Sequence, residues 1–280
     1  MSISGETLKS LEQIGYFEPS EIQEKALPFA LEGYDIVGQA KTGSGKTAVF
    51  GITIVEKIDL SGDGVQAVVL SPTRELALQV SAEIDRIGRY KGIKTVTIYG
   101  GQSISIQFKK LKRKPRVLVC TPGRLLDHMR RGTISLHKVK ILVIDEADKM
   151  LEIGFIEDIE YIIRKVPKDR QLMLFSATMP REIIELARKY LRNPKEIKIS
   201  RDELSVEHIY QVAYKIPNHK KFSTLVSLLR KYRGKKILIF TNTKKYGKIL
   251  SEMLRRERFF VGYLSGDLSQ NKREKVLYWF

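Results

Sequence analysis

A glycine-rich segment near the amino terminus has the residue types that bind a nucleotide. Its residues are Ala40-Lys41-Thr42-Gly43-Ser44-Gly45-Lys46-Thr47. The segment follows the apolar stretch Asp35–Gln39 and precedes a helical stretch, Ala48–Lys57. Glycines let backbone N–H groups turn towards an anion, and the lysine can reach the terminal phosphates. Between a strand and a helix, a phosphate-binding loop is favoured over a simple turn that caps a helix. Every residue of the loop is expected to contact the bound nucleotide.

An acidic cluster, Asp145-Glu146-Ala147-Asp148, directly follows the apolar run Ile141-Leu142-Val143-Ile144. Taken alone, it would fit the acidic first turn of a helix, which the helix dipole favours. After a phosphate-binding loop, catalysis is the better interpretation, because ligands gather at the carboxyl ends of parallel strands. Asp145 is predicted to hold Mg²⁺ together with the Thr47 hydroxyl. Glu146 is predicted to deprotonate the attacking water, with Lys46 as the third catalytic residue.

Short apolar segments alternate with amphipathic ones over the first 200 residues. Several of the apolar segments lack polar residues, as strands do when helices cover both faces of a sheet. The pattern predicts an α/β fold with a parallel sheet and flanking helices. The predicted strands are Asp35–Gln39, Gln66–Ser71, Lys94–Tyr99, Arg116–Cys120, Lys140–Asp145, Leu172–Ser176 and Glu196–Ile199, and the amphipathic segments include Arg74–Arg89, Pro122–Arg131, Ile156–Val166 and Arg181–Leu191.

The alternation lapses after Ser200 and then restarts. A polar stretch, Arg201–His208, and an extended segment, Ile209–Ile216, separate the two parts. We therefore predict a first domain over residues 1–200, a linker over 201–218, and part of a second domain over 219–280, because two or three strands are too few for a whole α/β domain. The elements predicted there are helices Lys220–Tyr232, Lys244–Arg256 and Gln270–Phe280 and strands Lys236–Thr241 and Phe259–Leu264.

The formal net charge is +18, and it is concentrated near the carboxyl terminus. From His219 to Phe280 there are 16 Lys or Arg and four Asp or Glu, a net charge of +12. Such a segment suggests a polyanionic partner, since neutralised phosphates release counterions. A lysine-rich solvated surface, common in heat-adapted proteins, explains the charge equally well.

Composition also argues against several classes of protein. The single cysteine, Cys120, excludes an internal disulfide framework, and the four histidines lack the spacing of zinc ligands, so no structural metal is expected. No apolar run has the length of a membrane span, and the amino terminus lacks the layout of a secretory signal. A cytoplasmic protein without membrane association is the expectation.

The letters of the acidic cluster match the signature of the DEAD-box RNA helicases, whose motifs the chain resembles from about Ser10 to its last residue. The segment 15–23 is similar to the family's Q motif. This resemblance implies that Gln23 reads the adenine edge, while Tyr16 and Phe17 pack near the ring. A carboxamide suits that task, because it offers both a donor and an acceptor. Ser20 stands where threonine is commoner and keeps the hydroxyl.

Three further loops are similar to the family's RNA-binding motifs, and each follows a predicted strand. Each alone could be an ordinary strand-to-helix turn. The resemblance implies that together they line the path of one RNA strand, which suits helix N-termini, glycine N–H groups and guanidinium groups. The predicted RNA-binding residues in these loops are Pro72, Thr73, Arg74, Gly100, Gly101, Thr121, Pro122, Gly123 and Arg124.

Two other regions have roles that follow only from the resemblance. Ser176-Ala177-Thr178 is similar to motif III, which implies that its hydroxyls link nucleotide state to RNA binding through Asp148; capping of the next helix is the alternative. Thr243, Gln270 and Arg273 occupy positions of motif IV and of the Q-x-x-R element, which implies contacts to RNA or across an interdomain cleft.

The resemblance thus implies two RecA-like domains, the second incomplete, in an ATP-dependent RNA helicase. It would bind ATP, Mg²⁺ and single-stranded RNA, unwind short duplexes, and act as a monomer; protein partners are left open. The family's R-G-x-D and H-R-x-G-R-x-x-R segments do not occur in the sequence. The alternative is therefore an ATP- and RNA-binding fragment or clamp without useful turnover. Gln23 and Asp148 argue against a third class, a P-loop kinase or DNA translocase.

Overall fold

The computed structural model describes residues 3–199 and 210–280. By its internal contacts the chain divides into two compact units, residues 1–205 and 206–280. The division falls within residues 200–209, which lie outside the described ranges, as does the predicted polar stretch Arg201–His208. Residues 210–216, predicted to be extended, form neither helix nor strand.

Unit 1 is built on one seven-stranded sheet in which every neighbouring pair of strands is parallel. The strands lie in the order β3-β4-β2-β5-β6-β1-β7. Each strand predicted in unit 1 is present, with ends that differ by at most one residue, so the predicted parallel α/β fold is confirmed. The strands are β1 (Ile36–Gln39), β2 (Ala67–Leu70), β3 (Thr95–Ile98), β4 (Val117–Cys120), β5 (Ile141–Ile144), β6 (Gln171–Ser176) and β7 (Lys195–Lys198).

Helices cover both faces of the sheet. Alternate strand residues enter two separate cores: Val69, Val143 and Phe175 belong to one, and their chain neighbours such as Leu70 and Leu174 belong to the other. This two-sided burial explains why the central strands are apolar throughout. The helices are α1 (Gly5–Gln13), α2 (Glu21–Glu32), α3 (Lys46–Lys57), α4 (Arg74–Ile87), α5 (Ile104–Leu111), α6 (Pro122–Arg130), α7 (Ala147–Ile153), α8 (Ile156–Lys165) and α9 (Arg181–Tyr190).

A buried carboxylate fastens the amino-terminal end of β1. Asp35 is only 3% exposed. Its two oxygens accept hydrogen bonds from the backbone nitrogens of Leu172, at 2.8 Å, and Arg192, at 2.7 Å. The side chain therefore joins β1 to β6 and to the turn after α9. Buried backbone donors need such partners, since water cannot reach them.

Unit 2 contains a short 3-10 helix, Asn218–Lys220, followed by α10 (Lys221–Lys231), α11 (Lys244–Arg256) and α12 (Gln270–Trp279). Its small core consists of Val226, Leu229, Leu250 and Leu254. No helix in the described ranges of the chain is long and apolar enough to cross a membrane.

The strands predicted at 236–241 and 259–264 are wrong for this structure, because neither segment joins a hydrogen-bonded ladder. A strand needs a neighbour that accepts and donates its backbone hydrogen bonds. Within the described part of unit 2, the apolar side chains of the first segment face solvent instead, with Leu238 66% and Phe240 92% exposed.

Replacing Asp35 with alanine should destabilise unit 1, because the buried N–H group of Leu172 and the half-buried N–H group of Arg192 lose their acceptor. We expect the free energy of unfolding to fall by about 2 to 5 kcal/mol. Urea denaturation measures this as a lower midpoint with an unchanged slope. The control is Asp63→Ala, since that side chain is exposed and forms a surface ion pair with Lys138. Equal midpoints for the two variants would contradict the role of Asp35.

Candidate nucleotide and nucleic-acid site

Every strand of unit 1 has its carboxyl end at the same edge of the sheet. The strand order determines which of the following loops are neighbours there. The loops after β1, β5 and β6 are neighbours and carry the nucleotide and acidic motifs. The loops after β2, β3 and β4 form the other half of the edge and carry the residues predicted to contact RNA. Ligands of open parallel sheets bind at this edge.

The phosphate-binding loop encloses its own lysine. Gly43 and Gly45 have φ angles of +86° and +94°, which glycine adopts without strain. Lys46 begins α3, is 6% exposed, and donates a hydrogen bond of 2.6 Å from Nζ to the Ala40 carbonyl oxygen. Burial lowers the pKa of Lys46, while the charges of Asp145 and Glu146 oppose that shift. The ammonium group thus lies inside the loop where phosphates would be cradled.

The segment around Gln23 holds the phosphate-binding loop from outside. The Ser20 hydroxyl donates to the Ser44 carbonyl oxygen at 2.8 Å, and Gln23 Nε2 donates to the Gly45 carbonyl oxygen at 3.2 Å. Gln23 Oε1 accepts from the Ser20 backbone nitrogen at 2.9 Å, which closes a capping box at the start of α2. The sequence predicted an adenine contact for Gln23, and the structure adds this contact with the loop.

The two aromatic residues of this segment have different surroundings. The Tyr16 hydroxyl donates a hydrogen bond to Glu83 on α4. Burial, together with Glu83, raises the pKa of Tyr16 to about 12. Phe17 is 78% exposed, so its ring is open to pack against a planar ligand.

Asp145 has the properties of a cation ligand. It directly follows β5 and is buried, and its Oδ1 atom has no hydrogen-bond partner among the described residues. Burial raises the pKa of Asp145 to about 7, against the lowering effect of Lys46. A buried carboxylate oxygen without a donor is costly unless a cation compensates it. Asp145 and the half-buried Thr47 hydroxyl therefore fit the oxygen donors that Mg²⁺ prefers.

Glu146 is held in a fixed position by two groups. Its backbone is left-handed, with φ of 55° and ψ of 53°, a conformation that costs a non-glycine residue about 1 to 3 kcal/mol. The Thr42 hydroxyl donates to Oε1 at 3.0 Å, and Lys149 Nζ lies 2.7 Å from Oε2. Both carboxylate oxygens thus have protein partners. Sequence reasoning missed Lys149, although its i+3 spacing from Glu146 was the available signal.

The fourth acidic residue contacts the segment 176–178. Asp148 donates from its backbone nitrogen to the Ser176 hydroxyl at 3.1 Å. Its Oδ2 atom accepts from the backbone nitrogen and the hydroxyl of Thr178, at 2.9 and 2.8 Å. Burial opposes ionisation, but the Thr178 and Ser176 hydrogen bonds outweigh it and lower the pKa of Asp148. The Ala177 carbonyl oxygen has a different partner and accepts from Gln39 Nε2 at 3.4 Å.

Two of the residues predicted to contact RNA in unit 1, Arg74 and Arg124, lie beside the loop that contains Gly101. A Cβ atom at that position would lie 2.2 Å from Nη1 of Arg74, so only glycine permits this approach. Arg124 Nη1 donates to the Gln102 carbonyl oxygen at 3.0 Å. Thr73 caps α4, with its side chain accepting from the Leu76 nitrogen at 3.2 Å. The other predicted residues of these loops are Pro72, Gly100, Thr121, Pro122 and Gly123.

The predicted residues of unit 2 lie on two of its helices. Thr243 caps α11, and its hydroxyl accepts from the Tyr246 nitrogen at 3.1 Å. Arg273 lies on α12, which begins at Gln270. The side chain of Gln270 lies outside the described part of the chain, so its predicted contact is not placed.

A strand, a glycine-rich loop that encloses a lysine, and a facing buried acidic pair define a P-loop nucleotide-binding domain with a RecA-like sheet. A family model described as DEAD/DEAH box helicase matches residues 20–186, and one described as helicase conserved C-terminal domain matches residues 220–280. The chain belongs to the DEAD/DEAH box helicase family.

Its relatives include the DEAD-box ATP-dependent RNA helicases CshA of Geobacillus kaustophilus, 44% identical over 277 residues, and of Bacillus subtilis, 43% identical over 276. Each comparison covers 99% of this chain, but 59% and 56% of the relative, so the chain spans little more than half the length of these proteins.

Two solved structures are similar over 99% of the chain. A DEAD box protein from the hyperthermophile Methanococcus jannaschii is 43% identical, with a TM-score of 0.69 over 75% of that protein. Saccharomyces cerevisiae Dbp5 bound to RNA and ADP BeF3 is 32% identical, with a TM-score of 0.85 over 71%.

Replacing Gly45 with alanine should weaken nucleotide binding. The added Cβ would lie 2.5 Å from Gln23 Nε2 and 2.6 Å from the Ser20 hydroxyl, in a backbone conformation that alanine disfavours. We expect the dissociation constant for ATP–Mg²⁺, measured by calorimetry, to rise about tenfold or more. Gly5→Ala is the control, because nothing lies within 4 Å of its Cβ. Unchanged affinity in Gly45→Ala would show that the loop adjusts freely.

Proposed function

We propose that this chain is the ATP-binding and RNA-binding part of an ATP-dependent RNA helicase. The observation that supports this most directly is the single sheet edge on which the loop 40–47 faces Asp145 and Glu146, with the basic loops around Gly101 beside them. The names of the CshA relatives point the same way. The proposed domains are residues 1–200 and 219–280, joined by 201–218, in a monomeric cytoplasmic protein.

ATP would bind with its phosphates in the loop 40–47. Lys46 would exchange the Ala40 carbonyl oxygen for phosphate oxygens and neutralise their charge. Asp145 and Thr47 would hold Mg²⁺, which when bound supplies further neutralisation of the phosphates. Glu146 would orient the attacking water and accept its proton, since it follows Asp145 directly and its carboxylate is already held in place by Thr42 and Lys149.

The adenine base would lie beside the segment 15–23. The exposed ring of Phe17 offers an apolar surface for packing, with Tyr16 anchored on α4 behind it. The Gln23 carboxamide can donate and accept, which matches the two groups on the adenine edge. Because the same carboxamide contacts the Gly45 carbonyl oxygen, base recognition would be joined directly to the shape of the phosphate loop.

A single RNA strand would follow the loops after β2, β3 and β4. The groups there are helix N-termini, backbone N–H groups at glycines, and the Arg74 and Arg124 guanidinium groups. These recognise sugar and phosphate, so little sequence preference is expected. Thr243, Gln270 and Arg273 of unit 2 would add contacts. An RNA strand that is bent on binding would separate from its complementary strand, which opens a short duplex. ATP hydrolysis would then release the bound RNA strand.

A second candidate is an ATP- and RNA-binding module with little turnover. The lack of any strand ladder in the described part of unit 2 favours it, because that unit offers no rigid sheet to position further catalytic groups. RNA-stimulated phosphate release distinguishes the two candidates: a helicase shows it, and a module that only binds does not.

Replacing Lys46 with alanine should remove the positive charge that stabilises the phosphates. We expect RNA-stimulated phosphate release to fall about 100-fold or more, a typical loss for one such group. Lys112→Ala, at the exposed end of α5, is the control for an unrelated lysine. Normal turnover in Lys46→Ala would remove the loop from the mechanism.

Replacing Gln23 with alanine should reduce the preference for ATP over GTP, because the group matched to adenine is lost. Competition between the two nucleotides, followed with a fluorescent ATP analogue, measures the ratio. Gln13→Ala, on the exposed side of α1, is the matched control. If both nucleotides weaken equally, Gln23 acts only through Gly45 and its adenine role is wrong.

A further inference from the structure

The helix α5 is attached to unit 1 by an unusual side chain. Its sequence contains Ile104, Ile106, Phe108 and Leu111, yet Gln107 is its one buried residue. Glutamine is rarely buried unless both ends of its carboxamide are hydrogen-bonded. Leu111 packs against the core as a partly buried residue, and the fully buried contact of the helix is the polar side chain of Gln107.

Gln107 belongs to a buried chain of hydrogen bonds. Its Nε2 atom donates to the Tyr99 carbonyl oxygen at 2.9 Å. Its Oε1 atom lies 3.2 Å from His128 Nε2, and His128 Nδ1 lies 2.9 Å from the Thr133 hydroxyl. Gln107 and His128 are fully buried, and the Phe108 ring packs edge-on against the imidazole with 5.4 Å between centroids.

The directions of these hydrogen bonds follow from the atoms involved. A carbonyl oxygen only accepts, so the amide nitrogen of Gln107 must face Tyr99 and its oxygen must face His128. His128 Nε2 must then donate. Burial lowers the pKa of His128, which keeps the ring neutral with a single N–H group. Nδ1 is then an acceptor for the Thr133 hydroxyl, whose single proton is shared with the His128 carbonyl oxygen, also at 2.9 Å.

This series of hydrogen bonds ends at the loop predicted to bind RNA. The Tyr99 carbonyl precedes Gly100 and Gly101, where the Arg74 guanidinium packs closely. Arg124, on the same helix as His128, donates to the carbonyl oxygen of Gln102 at 3.0 Å. The loop is therefore hydrogen-bonded to α5 at one end and to α6 at the other. Its backbone conformation determines the positions of the Arg74 and Arg124 guanidinium groups.

We propose that Gln107, His128 and Thr133 are positioning residues for RNA binding. They fix the backbone of residues 99–101 in the position from which this loop contacts RNA phosphates. This inference rests on the proposed function. None of the three would touch RNA, since they lie beneath the loop. Their effect would appear in RNA affinity and leave the ATP site, which lies on the other half of the sheet edge, unchanged.

The direct test is Gln107→Leu, which keeps the size of the side chain but can neither donate nor accept. Binding of a fluorescein-labelled single-stranded oligouridylate to the 280-residue chain is followed by anisotropy with a non-hydrolysable ATP analogue. We expect RNA affinity about tenfold weaker, with the affinity for the analogue unchanged. Ile106→Ala, an exposed position of the same helix, is the control.

A double variant separates positioning from stability. In Gln107→Leu the His128 N–H group is left buried and unpaired, so the urea midpoint should fall. Replacing both partners with apolar groups removes that penalty. Gln107→Leu/His128→Leu should therefore recover much of the stability but none of the RNA affinity, because the Tyr99 carbonyl still lacks its donor.

The Thr133 hydroxyl, at the other end of this series of hydrogen bonds, allows a pair of variants with a smaller change in the side chain. Thr133→Ser keeps the donor and should bind RNA as the unaltered chain does, whereas Thr133→Val removes it and should bind about threefold more weakly. RNA affinity that is unchanged in Gln107→Leu, or that recovers with stability in the double variant, overturns the proposal. Failure of the unaltered chain to bind RNA would instead overturn the proposed function, and this inference with it.

Discussion

Because all seven strands of unit 1 run parallel, the loops that follow them must emerge at one edge of the sheet. The pairing of β1 with β6 then decides which loops meet. The Ala40 nitrogen donates to the Ser176 carbonyl oxygen at 3.0 Å, which brings the phosphate-binding loop beside the segment 176–178. The pairing of β2 with β5 joins this half of the edge to the half around Gly101. The loops proposed to bind nucleotide and the loops proposed to bind RNA thus share one rigid support.

The centre of the candidate site concentrates charge where water is largely excluded. Lys46, Asp145 and Glu146 are all buried; burial lowers the pKa of Lys46 and raises that of Asp145, and the opposite charges of these neighbours oppose both shifts. Buried charges are tolerated when oppositely charged groups compensate them. Thr42 and Lys149 already orient Glu146, whereas Lys46 would have to release the Ala40 carbonyl oxygen to contact the proposed phosphates. The left-handed backbone of Glu146 places its carboxylate where Lys149 and Thr42 contact it.

In unit 2, the sequence pattern predicted strands that the structure does not contain. The run Ile237–Phe240 has the composition of a buried strand, just as Ile141–Ile144 does. The latter pairs with β2 and β6 and is wholly buried, whereas the former has no ladder and its side chains face solvent. Apolar composition predicts that a segment can become a strand. Whether it does depends on a neighbour, and a neighbour is a property of the folded domain.

For unit 1, the sequence alone determined the strands, the phosphate-binding loop and the acidic pair, because each depends on residues close together in the chain. Tertiary structure decided the strand order and every contact that follows from it. Thr42 meets Glu146, and Gln107 meets His128, across 104 and 21 residues of chain. No local pattern encodes such pairs, since they depend on which strands lie side by side and how far each helix reaches across the sheet.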